Sequence, residues 1–205
     1  MYYYTSDMHF GCQYIFERTN RPFADIDEMN KKIVDNFNER LSKDDVLMIL
    51  GDVACRDYNP VKELRAIKCK KVLIKGNHDA GLLTHKSFRD CFVDIRDYEL
   101  IREKDYTIVL NHYPIVEWDG YFKGIYHFYG HIHNSQVGSG LIMQLLPRAI
   151  NVGVDVNDYK PWTAKELIEK REREYTRNPF GLSEEFLKSA IDVVNTSTKM
   201  EEDNE

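Results

Sequence analysis

The sequence is short of the features that would place it in a membrane, an oxidising compartment or a nucleic-acid groove. Its longest purely aliphatic run, Val46-Leu47-Met48-Ile49-Leu50, is a fraction of the roughly 20 apolar residues a helical span requires. The N-terminal Met1-Tyr2-Tyr3-Tyr4-Thr5-Ser6-Asp7 has neither a basic segment nor a long apolar stretch, so no secretory signal and no membrane partner are expected. The four cysteines, Cys12, Cys55, Cys69 and Cys91, form no C-x-x-C pair, and without a secretory signal they are expected to be reduced thiols in a cytoplasmic protein. Basic side chains are outnumbered, 28 against 34 acidic, for a formal charge of −6. That balance disfavours a surface that holds nucleic acid by neutralising many phosphates. Internal repeats and low-complexity linkers are also missing, which makes one domain over 1–195 the expectation, followed by a polar tail over 196–205.

What is present is the composition of a globular protein: 42% hydrophobic and 30% charged residues in a chain of 205. Such a chain buries roughly 70% of its unfolded surface without disulfides or structural metals. Short apolar runs recur at Tyr2–Thr5, Val46–Leu50, Val72–Ile74, Thr107–Leu110, Ile125–Tyr129 and Ala149–Val156. Segments of helical patterning or loops separate them, which is an α/β alternation. Ile26, Met29, Ile33, Phe37 and Leu41 recur every three or four residues and predict a helix over 25–42, capped by Asp25 or Asp27. A weaker helix follows Pro60 through Ile67. Thr163 and Glu166 form a capping box for a helix across 163–175, and Ser183 to Val194 reads as another amphipathic helix.

The ends of the apolar runs carry the chemistry. Asp7-Met8-His9 follows the first, Gly51-Asp52 the second, Gly76-Asn77-His78-Asp79 the third, Asn111-His112 the fourth and Gly130-His131-Ile132-His133 the fifth. In open α/β sheets, ligands sit beyond the carboxyl ends of strands, so these residues are expected to gather at one place. If the chain stays extended there, Asp7 and His9 share a face, as do His131 and His133. Asp7, Asp52, His9, His112, His131, His133 and Asn77 together offer two carboxylates, four imidazoles and an amide. This mixed oxygen and nitrogen set suits manganese, iron or zinc better than calcium. Seven ligands exceed one tetrahedral zinc but suit two ions that share a bridging carboxylate.

In order, DMH, GD, GNHD, NH and GHIH make the chain resemble the calcineurin-like metallophosphoesterase superfamily over residues 5–133. TSDMHFG, NRPF, ILGDV, NHYP and NVGVD are similar to a bacterial and phage branch of it and extend the likeness to about 161. The resemblance implies a four-layered α/β/β/α sandwich of mixed sheets, with the site at the strands' C-terminal ends. It implies one ion on Asp7, His9, Asp52 and His133, another on Asp52, Asn77, His112 and His131, and Asp52 as the bridge. His78 would match a proton donor or phosphate-contacting histidine, with Asp79 orienting it, so that His78, Asp79 and Asp52 form the catalytic set. The implied cofactors are two divalent ions, manganese first, with iron, zinc or nickel as alternatives. Such a pair carries more positive charge than its two carboxylates cancel, which attracts a phosphate ester. Water held between ions on the order of 4 Å apart can deprotonate near neutral pH and act as the nucleophile.

The expected activity is hydrolysis of a small phosphomonoester or phosphodiester. A nuclease on the same centre and a non-catalytic binding module are the rival readings. For the substrate, Arg18, Arg21 and Arg56 are candidate phosphate clamps, with a plain surface charge as the first reading of each. Arg56 stands four residues after Asp52, an offset similar to that of a phosphate-binding arginine in Ser/Thr phosphatases, but Cys55 occupies the place of their acid. Cys12 likewise departs from a histidine frequent after D-x-H-F-G in relatives of this branch. The aromatic segment 113–122 reads equally as a loop that covers a core or as one whose Tyr113 and Trp118 stack a planar leaving group. His85 reads as a surface residue. His127 reads as either a core histidine or a neighbour of the ligands.

Overall fold

The computed structural model describes residues 1–176. The chain divides into two compact units, Met1–Arg171 and Glu172–Glu205. The helix expected over 183–194 and the polar tail over 196–205 lie outside the described residues.

Two four-stranded sheets build the first unit. In one, β1 (Tyr2–Thr5), β2 (Val46–Ile49), β3 (Lys70–Ile74) and β4 (Asp94–Arg96) run parallel in that order. In the other, β5 (Glu99–Arg102) pairs antiparallel with β6 (Thr107–Leu110), and β7 (Tyr126–Tyr129) and β8 (Ala149–Asn151) continue parallel. The inner strands β2 and β6 are nearly continuous apolar runs because both faces are covered. Leu47, Ile49 and Leu73 face a cluster with Met29, Ile33 and Phe37 of α2 (Ile26–Arg40) and Leu64 of α3 (Val61–Ala66). Met48, Leu50 and Ile74 turn the other way, toward Ile108, Leu110, Phe128 and Ile150 of the second sheet. Val109, Tyr129 and Ala149 then face an outer layer with Trp118 and Met143. These three cores separate four layers, the α/β/β/α sandwich that was expected.

Local signals set the helix starts. Asp25 caps α2 by accepting from the Glu28 N–H at 2.8 Å, while the Glu28 carboxylate accepts from the Ala24 N–H at 2.6 Å. Thr163 and Glu166 bond reciprocally ahead of the later helix Ala164–Thr176. The edge strands β4 and β5, sequences DIR and ELIR, were not legible as apolar runs. Their partly exposed, charged positions are what an edge strand tolerates. Four short helices carried too few periodic residues to be read: α1 (Gln13–Arg18), α4 (Asp79–Leu82), α5 (Lys86–Arg89) and α6 (Ser139–Gln144). The run expected over Ala149–Val156 is a strand only to Asn151, followed by a short 3-10 turn over Val154–Val156.

Two of the four cysteines depart from expectation, since Cys12 and Cys55 form a disulfide, with Cα atoms 5.1 Å apart across 43 positions. Phe10 and Ala54 make a parallel bridge, and the Cys55 N–H donates to the Phe10 carbonyl at 3.2 Å, which brings the two loops side by side. Cys69 and Cys91 are free. Among the described residues no helix is long and apolar enough to cross a membrane.

Phe128 stands between the sheets, fully buried, with its ring edge-on to Tyr4 at 4.9 Å. Phe128→Ala should cost about 3–5 kcal/mol by loss of burial and by the cavity it leaves. Denaturant unfolding should read this as a lower midpoint at unchanged slope.

Candidate metal centre

Parallel strands direct their carboxyl ends to one edge, and face-to-face packing brings the two edges together. There Asp7, His9 and His133 form one group and Asp52, His112 and His131 another, with the candidate ligand atoms of each group within 4.8 Å of one another. The backbone route differs from the extended one expected of D-x-H and G-H-x-H. Among the described residues, eight non-glycine residues have positive φ, and five of them are Asp7, His9, Asp52, His131 and His133. Left-handed turns rather than strand alternation aim these side chains, at a local cost the surrounding fold must offset.

The donors are prepared unequally. His112 Nδ1 lies 2.8 Å from the Leu50 carbonyl and donates to it, which leaves Nε2 as the nitrogen turned to the centre. Nε2 faces Asn77 Oδ1 at 3.0 Å and Asp52 Oδ2 at 3.4 Å. His133 Nδ1 donates to Asp155 at 2.8 Å, which likewise frees its Nε2. His9 is fully buried and neither ring nitrogen has a hydrogen-bond partner. Two unpartnered imidazole nitrogens in an interior are costly unless a ligand satisfies them, and burial lowers the His9 pKa to about 3, leaving it neutral.

The carboxylates ask for positive charge. Burial works against protonation of His112, yet the Asp52 and Asp7 carboxylates raise its pKa to about 9. Burial would raise Asp52, but its contacts with His112 and the His78 N–H hold it at about 2. A divalent cation would meet that demand in each group, and the imidazole, carboxylate and amide donors fit manganese, iron or zinc.

Asp79 does not orient His78, contrary to the expected role. Its buried carboxylate accepts the N–H groups of Asp52 at 3.0 Å, Val53 at 3.0 Å and Gly76 at 2.8 Å. It therefore shapes the turn that presents Asp52, and sits too deep to reach a substrate. His78 is half-exposed, and its Nε2 lies 4.0 Å from Asp52 Oδ2. Two substrate candidates are also corrected. Trp118 is 4% exposed, and its Nε1 donates to the Ile125 carbonyl at 2.9 Å, so it is core. Arg21, with a side chain fully buried, binds Asp155 and backbone carbonyls instead of a phosphate. Arg18 is exposed on α1, and its guanidinium contacts Tyr14 of the same helix at 2.7 Å. Arg56 is exposed and reaches toward Gly81 of α4. Tyr113 is 45% exposed and stands edge-on to His112 and His131, with centroids 5.0 and 4.9 Å away.

Sequence reasoning gave Asp155 no role, although it lies in the NVGVD motif. Burial alone would raise its pKa, but the His133 hydrogen bond and Arg21 hold it at about 2. His127 is a core histidine, with Val109 O at 3.3 Å and the Ile115 N–H at 3.1 Å, and His85 is exposed.

Gly130 permits the approach of the sheets, since a Cβ there would overlap Ser6 Oγ and the Asp7 carboxylate. Gly130→Ala should displace Asp7 and weaken binding of one divalent ion. Calorimetric titration of the variant with Mn²⁺ checks this.

The sequence profile of the calcineurin-like phosphoesterases matches residues 2–136. An uncharacterized protein of Methanocaldococcus jannaschii, MJ1445, is 30% identical over 174 residues, covering 82% of this chain and 91% of its own. The Gene 66 protein of Mycobacterium phage D29 is 25% identical over 182 residues, covering 75% and 87%. Among solved structures, a protein of unknown function from Aquifex aeolicus, AQ665, superposes with a TM-score of 0.65 at 28% identity, over 83% of this chain and 98% of that one.

Proposed function

The chain belongs to the calcineurin-like phosphoesterase family, and from that premise we propose that it is a hydrolase of small phosphomonoesters or phosphodiesters that works with two divalent cations, manganese foremost. One observation carries the dinuclear reading. A single atom, Asp52 Oδ2, lies 3.5 Å from His9 Nε2 of one group and 3.4 Å from His112 Nε2 of the other. Asp52 would thus be the carboxylate that serves both cations, with Asp7, His9 and His133 available to hold one and Asn77, His112 and His131 the other. When bound, such a pair of cations supplies positive charge to phosphoryl oxygens and acidifies water.

The chain's own groups do the rest. Asp79 holds the turn of Asp52. His78, half-exposed at the mouth of the centre, gives its proton to the departing oxygen. Tyr113 offers an exposed ring to the leaving group, and Arg56 offers a charge to the phosphate. Net charge favours a small ester over a polynucleotide, which a chain at −6 has little surface to neutralise.

The test is turnover of a panel of phosphomonoesters, cyclic nucleotides and single-stranded DNA, with Mn²⁺, Ni²⁺, Zn²⁺ and Mg²⁺ supplied in turn. Small esters should turn over fastest, with Mn²⁺. Cleavage confined to DNA would replace this reading with a nuclease. Metal uptake without turnover of any ester would replace it with a binding module.

A further inference from the structure

Arg21 directs every nitrogen of its guanidinium at one half of the centre. Nε and Nη2 bind the two oxygens of Asp155 at 2.9 and 3.0 Å. Nη2 also donates to the Asp7 carbonyl at 2.7 Å, and Nη1 to the Met8 carbonyl at 2.6 Å. Asp155 in turn receives His133 Nδ1 at 2.8 Å. The residues gathered this way, Asp7 and His133 with His9 on the same turn, are one of the two candidate ligand groups. The other group is ordered by different means: Asp79 shapes the turn of Asp52, and the Leu50 carbonyl sets His112.

We propose that Arg21 and Asp155 are positioning residues for one metal site only, the one formed by Asp7, His9 and His133. The assignment rests on the dinuclear reading above. Asp155 fixes the ring of His133 so that Nε2 faces the site. Arg21 then ties that carboxylate to the Asp7–His9 turn, where φ is +57° at Asp7 and +49° at His9 and the backbone needs external support. The pair sits 134 residues apart in the chain, so one guanidinium joins the two loops that supply this site. Links that run from the second group to the first, Asp52 beside His9 and the His131 N–H on the Asp7 carboxylate, do not pass through either residue. Substitution should therefore split the centre rather than empty it.

The experiment is Mn²⁺ binding to purified full-length chain, by equilibrium dialysis with elemental analysis and by electron paramagnetic resonance. Wild type should take up two ions with a spin-coupled signal. Asp155→Asn keeps the shape of the side chain and one acceptor oxygen. It should hold one ion with wild-type affinity and bind the other ~10–100-fold more weakly, as loss of an outer partner of a ligating histidine does. At equal free Mn²⁺ the spectrum should become that of an isolated ion. In a His133→Ala background, Asp155→Asn should add less weakening than it causes alone, because only its link through Arg21 to the Asp7–His9 turn is then left to lose, whereas a general loss of packing would be additive. Should Asp155→Asn lack a cooperative melt, Arg21→Lys carries the same expectation, because it keeps the buried charge but cannot span the carboxylate and both carbonyls. Equal weakening of both ions, or of neither, overturns the selective role. Wild type that takes up fewer than two ions overturns the dinuclear reading itself and this assignment with it.

Discussion

Asp52→Asn should strip both divalent ions from the centre and lower turnover by a factor on the order of 10²–10³, the scale lost when a key electrostatic contact of a reacting centre is removed. The carboxylate sits between the groups, with one oxygen 3.5 Å from His9 and 3.4 Å from His112. Loss of its charge therefore weakens two sites at once. The fold should survive, because the contact that anchors the turn is the Asp52 N–H on Asp79 at 3.0 Å, which asparagine retains. The measurement is metal content after loading with Mn²⁺, beside a thermal melt of the metal-free protein. Near-native melting with metal content well below two ions per chain is the expected pair of results. Full metal content with wild-type turnover would show that Asp52 bridges nothing.

His78→Ala should keep both ions and lose rate in a substrate-dependent way. The ring is half-exposed, and it is the backbone N–H of residue 78, present in alanine too, that donates to Asp52 Oδ1 at 2.9 Å. General acid catalysis is worth roughly 10²–10⁴-fold when the leaving oxygen is strongly basic, and far less when it is not. An alkyl phosphoester should therefore lose rate in that range, while a nitrophenyl ester keeps most of its wild-type rate. Steady-state kinetics on the two esters decides the matter. An equal loss on both, at unchanged metal content, would move His78 from proton donor to phosphate contact, and metal loss would make it a support of the ligands.

Much of this was written in local patterns. The apolar runs at Tyr2–Thr5 and Thr107–Leu110 are strands over those residues, and Asp25 and Thr163 cap the helices they were expected to start. The candidate ligands were legible because each stands just past a strand, where chain chemistry changes from apolar to polar within one or two positions. The edge strands β4 and β5 were not, since their partly exposed positions place no demand for a hydrophobic run.

Residue types and their order along the chain were enough to choose the fold class, the strand ends and the donor set, because periodicity and side-chain chemistry are local properties. Tertiary structure alone decided how those donors are held. It made Arg21 and Trp118 interior residues, gave Asp79 to the Asp52 turn, joined Cys12 to Cys55, and set Asp155 on His133. Each of these pairings exists because folding brings particular loops, of neighbouring strands or of facing sheets, within reach of one another. A polar side chain in a loop carries no local mark of which distant group it will meet. The left-handed turns at Asp7, His9, Asp52, His131 and His133 are of the same kind, since only the surrounding contacts make an unfavourable φ the lowest state available to the chain.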